Sequence, residues 1–109
     1  MSNFHLCPKF ECAFTLLGKR WNGLIIRGLL EGPKRFSDIS NMIPQLSDRI
    51  LVQRFKELEA EGIIKRTVYP ETPVRIEYEL TDKGIALKPA MDEVQKWAET
   101  WVNYDKRNE

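Results

Sequence analysis

"SDRILVQRFKELEAEG", residues 47–62, is the stretch on which the reading of the fold turns. Ser47 carries a hydroxyl that can accept from a free amide at a helix start, and Gly62 supplies a left-handed stop. With Leu51 set at zero and 100° per residue, Phe55 falls at about 40° and Leu58 at about 340°, an inward stripe. On the outward side Lys56 falls at about 140°, Arg49 at about 160° and Gln53 at about 200°. Arginine matches the O6/N7 pair of guanine and glutamine the N6/N7 pair of adenine, while a lysine more often neutralises a phosphate. Ser47 and the free amides beside it could hold a phosphate as well. Arg54, at about 300°, has Glu57 three residues on and is expected to pair with it rather than meet DNA. For an isolated amphipathic helix a merely solvated polar face is the commoner reading, so the neighbours of this helix have to decide.

Upstream, "DISNMI" follows Ser37, a candidate N-cap, and ends at Pro44, giving a short helix before the long one. The pair has the lengths and turn of a helix-turn-helix. Before it, "KRF" reads as short and extended, and Gly32-Pro33 ends a mostly buried helix in "RWNGLIIRGLL". Residues 8–17 form a first helix with Phe10, Phe14 and Leu17 on one stripe, Pro8 as its first residue and Gly18 as its stop. Downstream the period changes from 3.6 to 2. Ile64, Arg66 and Val68 alternate with Lys65, Thr67 and Tyr69, then Val74, Ile76, Tyr78 and Leu80 alternate with charged residues beyond "PETP". A hairpin directly after the second helix of the motif makes a wing, and Arg66 and Arg75 place cations where a wing meets the DNA backbone. A sheet edge that only covers the core is the alternative.

Thr81, in "TDKG", opens the last helical segment, with Leu87, Met91, Val94, Ala98 and Trp101 spaced four, three, four and three. Pro89 means the segment either kinks there or begins there. A small winged domain has little interior for this stripe together with Trp97 and Tyr104. Pairing with the first helix, through Phe10 and Phe14, and with the same helix of a second chain would bury it in a two-fold dimer. A cover for the chain's own core is the competing reading. Two reading helices in such a dimer lie about 34 Å apart, one turn of duplex, which suits an inverted repeat. The expected class is therefore mainly α with a small β-hairpin, a winged helix-turn-helix with N- and C-terminal dimerisation helices, as one domain over residues 1–109.

Composition agrees with that class. The 109 residues are 42% hydrophobic and 30% charged, which supports one modest core. Net charge is +1, but residues 1–75 hold 12 Lys and Arg against 8 Asp and Glu, and residues 76–109 hold 5 against 8. A basic body with an acidic end suits an anionic partner on one side, although an imbalance this small also arises by chance. No apolar run approaches the eighteen or so residues of a membrane span, and "MSNFHLCPKFE" lacks the pattern of a secretion signal, so a cytoplasmic protein is expected.

Four blocks carry a family resemblance: "LLGKRWNGLII", "GPKRFSDI", "LSDRILVQRFKELEAEGII" and "TPVRIEYELTDKG". Together, over about residues 7–102, they resemble the HxlR-type winged-helix transcriptional regulators, and most nearly the branch of thiol-based sensors of quinones and other electrophiles. The resemblance implies a homodimer that represses genes for detoxifying oxidoreductases.

"LCPKFEC" then becomes the stretch of chemical interest. Two cysteines and the lone His5 lack the paired spacings of a zinc site, and no cofactor motif is present. Cys7 and Cys12 would stand about 7.5 Å apart along a helix axis, so a disulfide within the chain requires the helix start to unwind. Cys7 lies at the cap of the first helix, where free amides and the helix dipole favour a thiolate and Lys9 is nearby, on the side of the Phe10 stripe. Cys12 is mid-helix, turned about 160° from Phe14. By residue type alone either thiol could be inert. The resemblance implies that Cys7, in its Cys-Pro pair, is the sensing thiol, with Cys12 secondary. Some relatives carry further cysteines near the C-terminus, and "WVNYDKRNE" has none. S-alkylation by a quinone, a mixed disulfide with a small thiol, or a link from Cys7 to Cys7 or Cys12 of a second chain stay open. A winged-helix protein-interaction module that never touches DNA is the rival from another class. A small thiol oxidoreductase lacks any base or resolving pair.

Overall fold

The computed structural model describes residues 4–104. The chain runs α1 (Pro8–Leu17), α2 (Asn22–Leu29), α3 (Phe36–Met42), α4 (Asp48–Ala60), β1 (Ile64–Tyr69), β2 (Arg75–Leu80), α5 (Asp82–Ile85) and α6 (Lys88–Trp101). This is a mainly helical winged helix-turn-helix.

In α4 the Ser47 hydroxyl accepts from the Ile50 amide at 3.3 Å, and Gly62, at φ +72°, turns the chain out of the helix where a Cβ would be strained. Leu51, Phe55 and Leu58 are buried, as the wheel requires. They meet Ile25, Ile26 and Leu29 of α2, Ile39 of α3, Ile43 and Leu46 of the turn, and Ile63, Ile64 and Leu80 at the hairpin base. Phe55 sits edge-on to Phe36 and against Tyr78, with ring centroids 5.8 and 4.3 Å away. Each such side chain contributes about 1.5–3 kcal/mol when taken from water.

The antiparallel hairpin pairs Ile64 with Leu80, Arg66 with Tyr78 and Val68 with Ile76. The extended "KRF" segment adds a single antiparallel bridge to the two-stranded sheet, where Lys34 and Tyr78 exchange backbone hydrogen bonds of 2.9 and 2.8 Å. One boundary differs from expectation, and of the two readings of Pro89 a helix start is the one observed. The α3 cap is Arg35, not Ser37, because the Asp38 carboxylate accepts from the Arg35 amide at 2.9 Å and draws the helix start two residues earlier. The last segment is two helices: Thr81 caps α5, the chain breaks over Ala86 and Leu87, and α6 starts with Pro89 in its first turn.

The linkage between α1 and α2 is tight. Gly18 donates to the Phe14 carbonyl at 2.8 Å, and a Cβ there would lie 2.6 Å from that oxygen. Trp21 holds φ +82°, a region that costs a non-glycine residue about 1–3 kcal/mol unless its surroundings impose it. Those surroundings are the Arg20 guanidinium 4.3 Å from the Trp21 ring and the buried Asn22, whose amide donates to the Leu16 carbonyl at 2.9 Å.

The terminal helices project from this body. No residue of α1 or α6 is buried. The radius of gyration is 16.3 Å, against about 13 Å for a compact chain of this length.

Candidate nucleic-acid interface and thiol site

The outward face of α4 brings Arg49, Gln53 and Lys56 together along one open groove, and the fourth lining residue is Val52. No side-chain hydrogen bond or ion pair within the described residues engages Arg49, Gln53 or Lys56. Ser47 spends its acceptor on the helix cap and keeps its proton for a ligand. Behind it, Ser40 of α3 donates to the Asp48 carboxylate at 2.8 Å and fixes the two helices of the motif at their junction. Sequence reasoning did not single out Val52. Its signal is a β-branched apolar residue about 100° off the core stripe, exposed and able to meet a thymine methyl.

Arg54 behaves as the wheel predicts. Its guanidinium lies 3.4 Å from Glu57, and its Nε donates to the Arg20 carbonyl at 3.1 Å. The wing divides its two arginines. The Arg66 side chain is exposed and engages no partner among the described residues. Arg75 pairs with Glu71 at 3.1 Å and Glu77 at 3.0 Å, and its guanidinium lies 4.1 Å from the Tyr69 ring. Its charge is thus neutralised within the wing, which makes it a brace for the wing tip more than a cation offered to phosphate.

Cys7 occupies the N-cap of α1 in extended conformation, and its thiol makes no capping hydrogen bond. It is exposed and shares a shallow groove with Leu6, Phe10, Glu11, Phe14 and Thr15, so the thiol stands beside the apolar stripe. The charged side chain in that groove is Glu11, not Lys9. Cys12, also free and exposed, opens on a different groove with Thr15, Leu16, Lys19, Asn22, Glu57 and Glu61. Among the described residues no three His, Cys, Asp or Glu side chains gather as metal ligands.

The apolar stripes divide as well. Phe10 and Phe14, with rings 4.8 Å apart, are 62% and 58% exposed, and on α6 Val94, Trp97 and Trp101 are 62%, 60% and 73% exposed. Leu87 and Met91, at the start of the same heptad, pack on the chain's own core, and Ala98 is half-buried. Asp92 ties this end of α6 to α2. It accepts from Arg27 at 2.8 Å and from Lys88 at 2.6 Å, and those bonds, Arg27 first, hold its carboxyl below the ordinary range.

Residues 16–106 match the model of the HxlR-like helix-turn-helix family. The chain belongs to this family. It is 54% identical over 103 residues to YvaP of Bacillus subtilis, an HTH-type transcriptional regulator of uncharacterised role, covering 94% of this chain and 95% of YvaP. The reduced form of the B. subtilis transcriptional regulator YodB superposes with a TM-score of 0.82 at 52% identity, covering 91% of this chain and 97% of YodB. Quinone-bound YodB superposes with a TM-score of 0.78 at 49% identity, over 88% of this chain and all of that one. The chain is therefore a transcriptional regulator of the helix-turn-helix type. No helix among its described residues is long and apolar enough to cross a membrane.

Proposed function

We propose that this chain is a homodimeric repressor that releases an inverted-repeat operator when Cys7 reacts with a quinone or another electrophile. One observation carries the reading: the thiol at the α1 cap lies in the same groove as Phe10 and Phe14, an apolar surface that the chain itself leaves uncovered.

Arg49 and Gln53 read base edges in the major groove, Lys56 and Ser47 hold backbone phosphate, and Arg66 meets the flanking strand from the wing. Arg75 supports that contact by shaping the wing. Phe10 and Phe14 of each protomer pack with Val94, Ala98 and Trp101 of the other, while Leu87 and Met91 fix α6 to its own body. The quinone-bound form of YodB supports a quinone as ligand. In the addition, the Cys7 sulfur bonds to a ring carbon, the thiol proton and the displaced ring proton end on the two ring oxygens, and no group leaves. The product is an aryl thioether of a hydroquinone. Its bulk and hydroxyls stand at the dimer seam, and a shifted seam changes the separation of the two reading helices. Cys12 lies away from that seam and takes a secondary part. The setting of such a sensor is the cytoplasm.

Titration with duplex DNA at several salt concentrations tests the first half. Binding should weaken steeply with salt as counterions are released, and a flat dependence would favour a protein-interaction module instead. Intact-mass and peptide mapping after benzoquinone treatment test the second, with one adduct on Cys7 expected.

A further inference from the structure

Of the charged groups on α4, Arg54 and Glu57 alone are tied to the loop between α1 and α2. Lys19 Nζ lies 2.9 Å from a Glu57 carboxylate oxygen, and Arg54, 3.4 Å from the other oxygen, donates through Nε to the Arg20 carbonyl at 3.1 Å. The two anchors, Lys19 and Arg20, come directly before Trp21, the residue held at φ +82°. A strained turn is thus clamped to the flank of the reading helix at two adjacent points. Its other end is α1, with no buried residue and with Cys7 at its cap. Arg54 is the better shielded of the two clamp residues on α4, with 14% of its side chain exposed, so the clamp is partly sheltered from water and salt.

We infer that Glu57, with Arg54, Lys19 and the Arg20 carbonyl, is a latch that sets the position of the reading helix relative to α1, making Glu57 a positioning residue for DNA recognition. Core packing through Leu51, Phe55 and Leu58 fixes how deep α4 sits, and the latch fixes its rotation about that contact. Glu57 stands only about 40° around the helix from Gln53, so a small rotation there moves the base-reading side chains directly. The latch also supplies a physical path from the α1 cap to the DNA face: displacement of α1 pulls on the turn, and the turn pulls on the flank of α4. This inference rests on the DNA-reading assignment of Arg49, Gln53 and Lys56.

The sign of one substitution separates the latch from simple electrostatics. Glu57→Ala removes a negative charge beside the DNA face and places a better helix former in α4, so charge alone predicts tighter binding. The latch predicts binding about three- to fivefold weaker, the scale of one exposed to half-buried ion pair, with an unchanged salt slope because no phosphate contact is lost. Glu57→Gln keeps an acceptor for Lys19 and Arg54 and should recover most of the affinity. Lys19→Ala combined with Glu57→Ala should bind no more weakly than the worse single variant, since both remove the same Lys19–Glu57 bond and both leave Arg54 on the Arg20 carbonyl. Equal or tighter binding by Glu57→Ala, or additive losses in the double variant, would overturn the inference. Lys56→Ala measured alongside isolates the underlying reading. If it lowers affinity and flattens the salt slope, the DNA face stands whatever Glu57 shows. If the wild-type protein itself shows no salt-dependent binding to duplex DNA, the face assignment and the latch fall together.

Discussion

Helices α1 and α4 carry similar amphipathic patterns and meet opposite fates. In α4 the stripe of Leu51, Phe55 and Leu58 is closed over by α2, α3 and the base of the hairpin. In α1 the stripe of Phe10 and Phe14 is left in water, and no residue of the helix is buried. The same physical signal therefore specifies a core in one place and, in the other, an uncovered apolar face that the proposed dimer would close. The difference bears on the proposed sensing, because a reaction at a residue beside the core would compete with folding, whereas Cys7 stands at the exposed start of a helix that meets the core only near its far end, through Leu16 and Leu17. In the proposed dimer, adduct chemistry there would alter the seam without unfolding the body.

The comparison can be broken most severely from the core side. Leu51→Ala should lower the stability of each protomer by about 2–5 kcal/mol, read as a fall in the urea midpoint, because a cavity opens where α2, α3 and the hairpin meet. Trp101→Ala, on the exposed stripe, should weaken self-association by about 2 kcal/mol or more in sedimentation equilibrium and leave the circular dichroism of the protomer unchanged. An equal loss of fold in both would erase the distinction. On the outward face of α4, Arg49→Ala should cost about 1–3 kcal/mol of DNA affinity and relax base preference at one position. Lys56→Ala should weaken all sequences alike and reduce the salt slope by about one. The smallest effect concerns Asp92. Its carboxyl is held below the ordinary range by Arg27 and then Lys88, so its contribution is complete above that range and disappears as pH falls through the depressed value. Arg27→Ala should slightly lower stability near neutrality and converge on the wild type in acid, which flattens the acid limb of the stability profile.

Much of this was legible because caps and periods agreed with each other. Ser47, the Leu51 stripe and Gly62 all specify α4, and the switch to period 2 after Gly62 specifies the wing. The cap of α3 was not legible: Ser37 has the residue type of an N-cap, but the Asp38 carboxylate bonds the Arg35 amide and sets the helix start there. A heptad shows which residues share a face but not what covers it, so Leu87 and Met91 read like Val94 and Trp101 although they pack on the chain's own core. The fate of individual charges was not legible. Arg66 and Arg75 are alike in sequence, yet Glu71 and Glu77 engage only the second. The bond from Lys19 to Glu57 joins positions whose proximity exists only once α1, α2 and α4 are packed.

The central claim is that Cys7, outside the core, controls the DNA-reading face. The most direct measurement is the affinity of wild-type and Cys7→Ser protein for a duplex selected from a random pool, before and after benzoquinone treatment. Both proteins should bind alike when reduced, and after treatment only the wild type should lose affinity, in proportion to the fraction carrying an adduct on Cys7. Equal release by Cys7→Ser, or retained affinity in wild-type protein fully modified at Cys7, would contradict it.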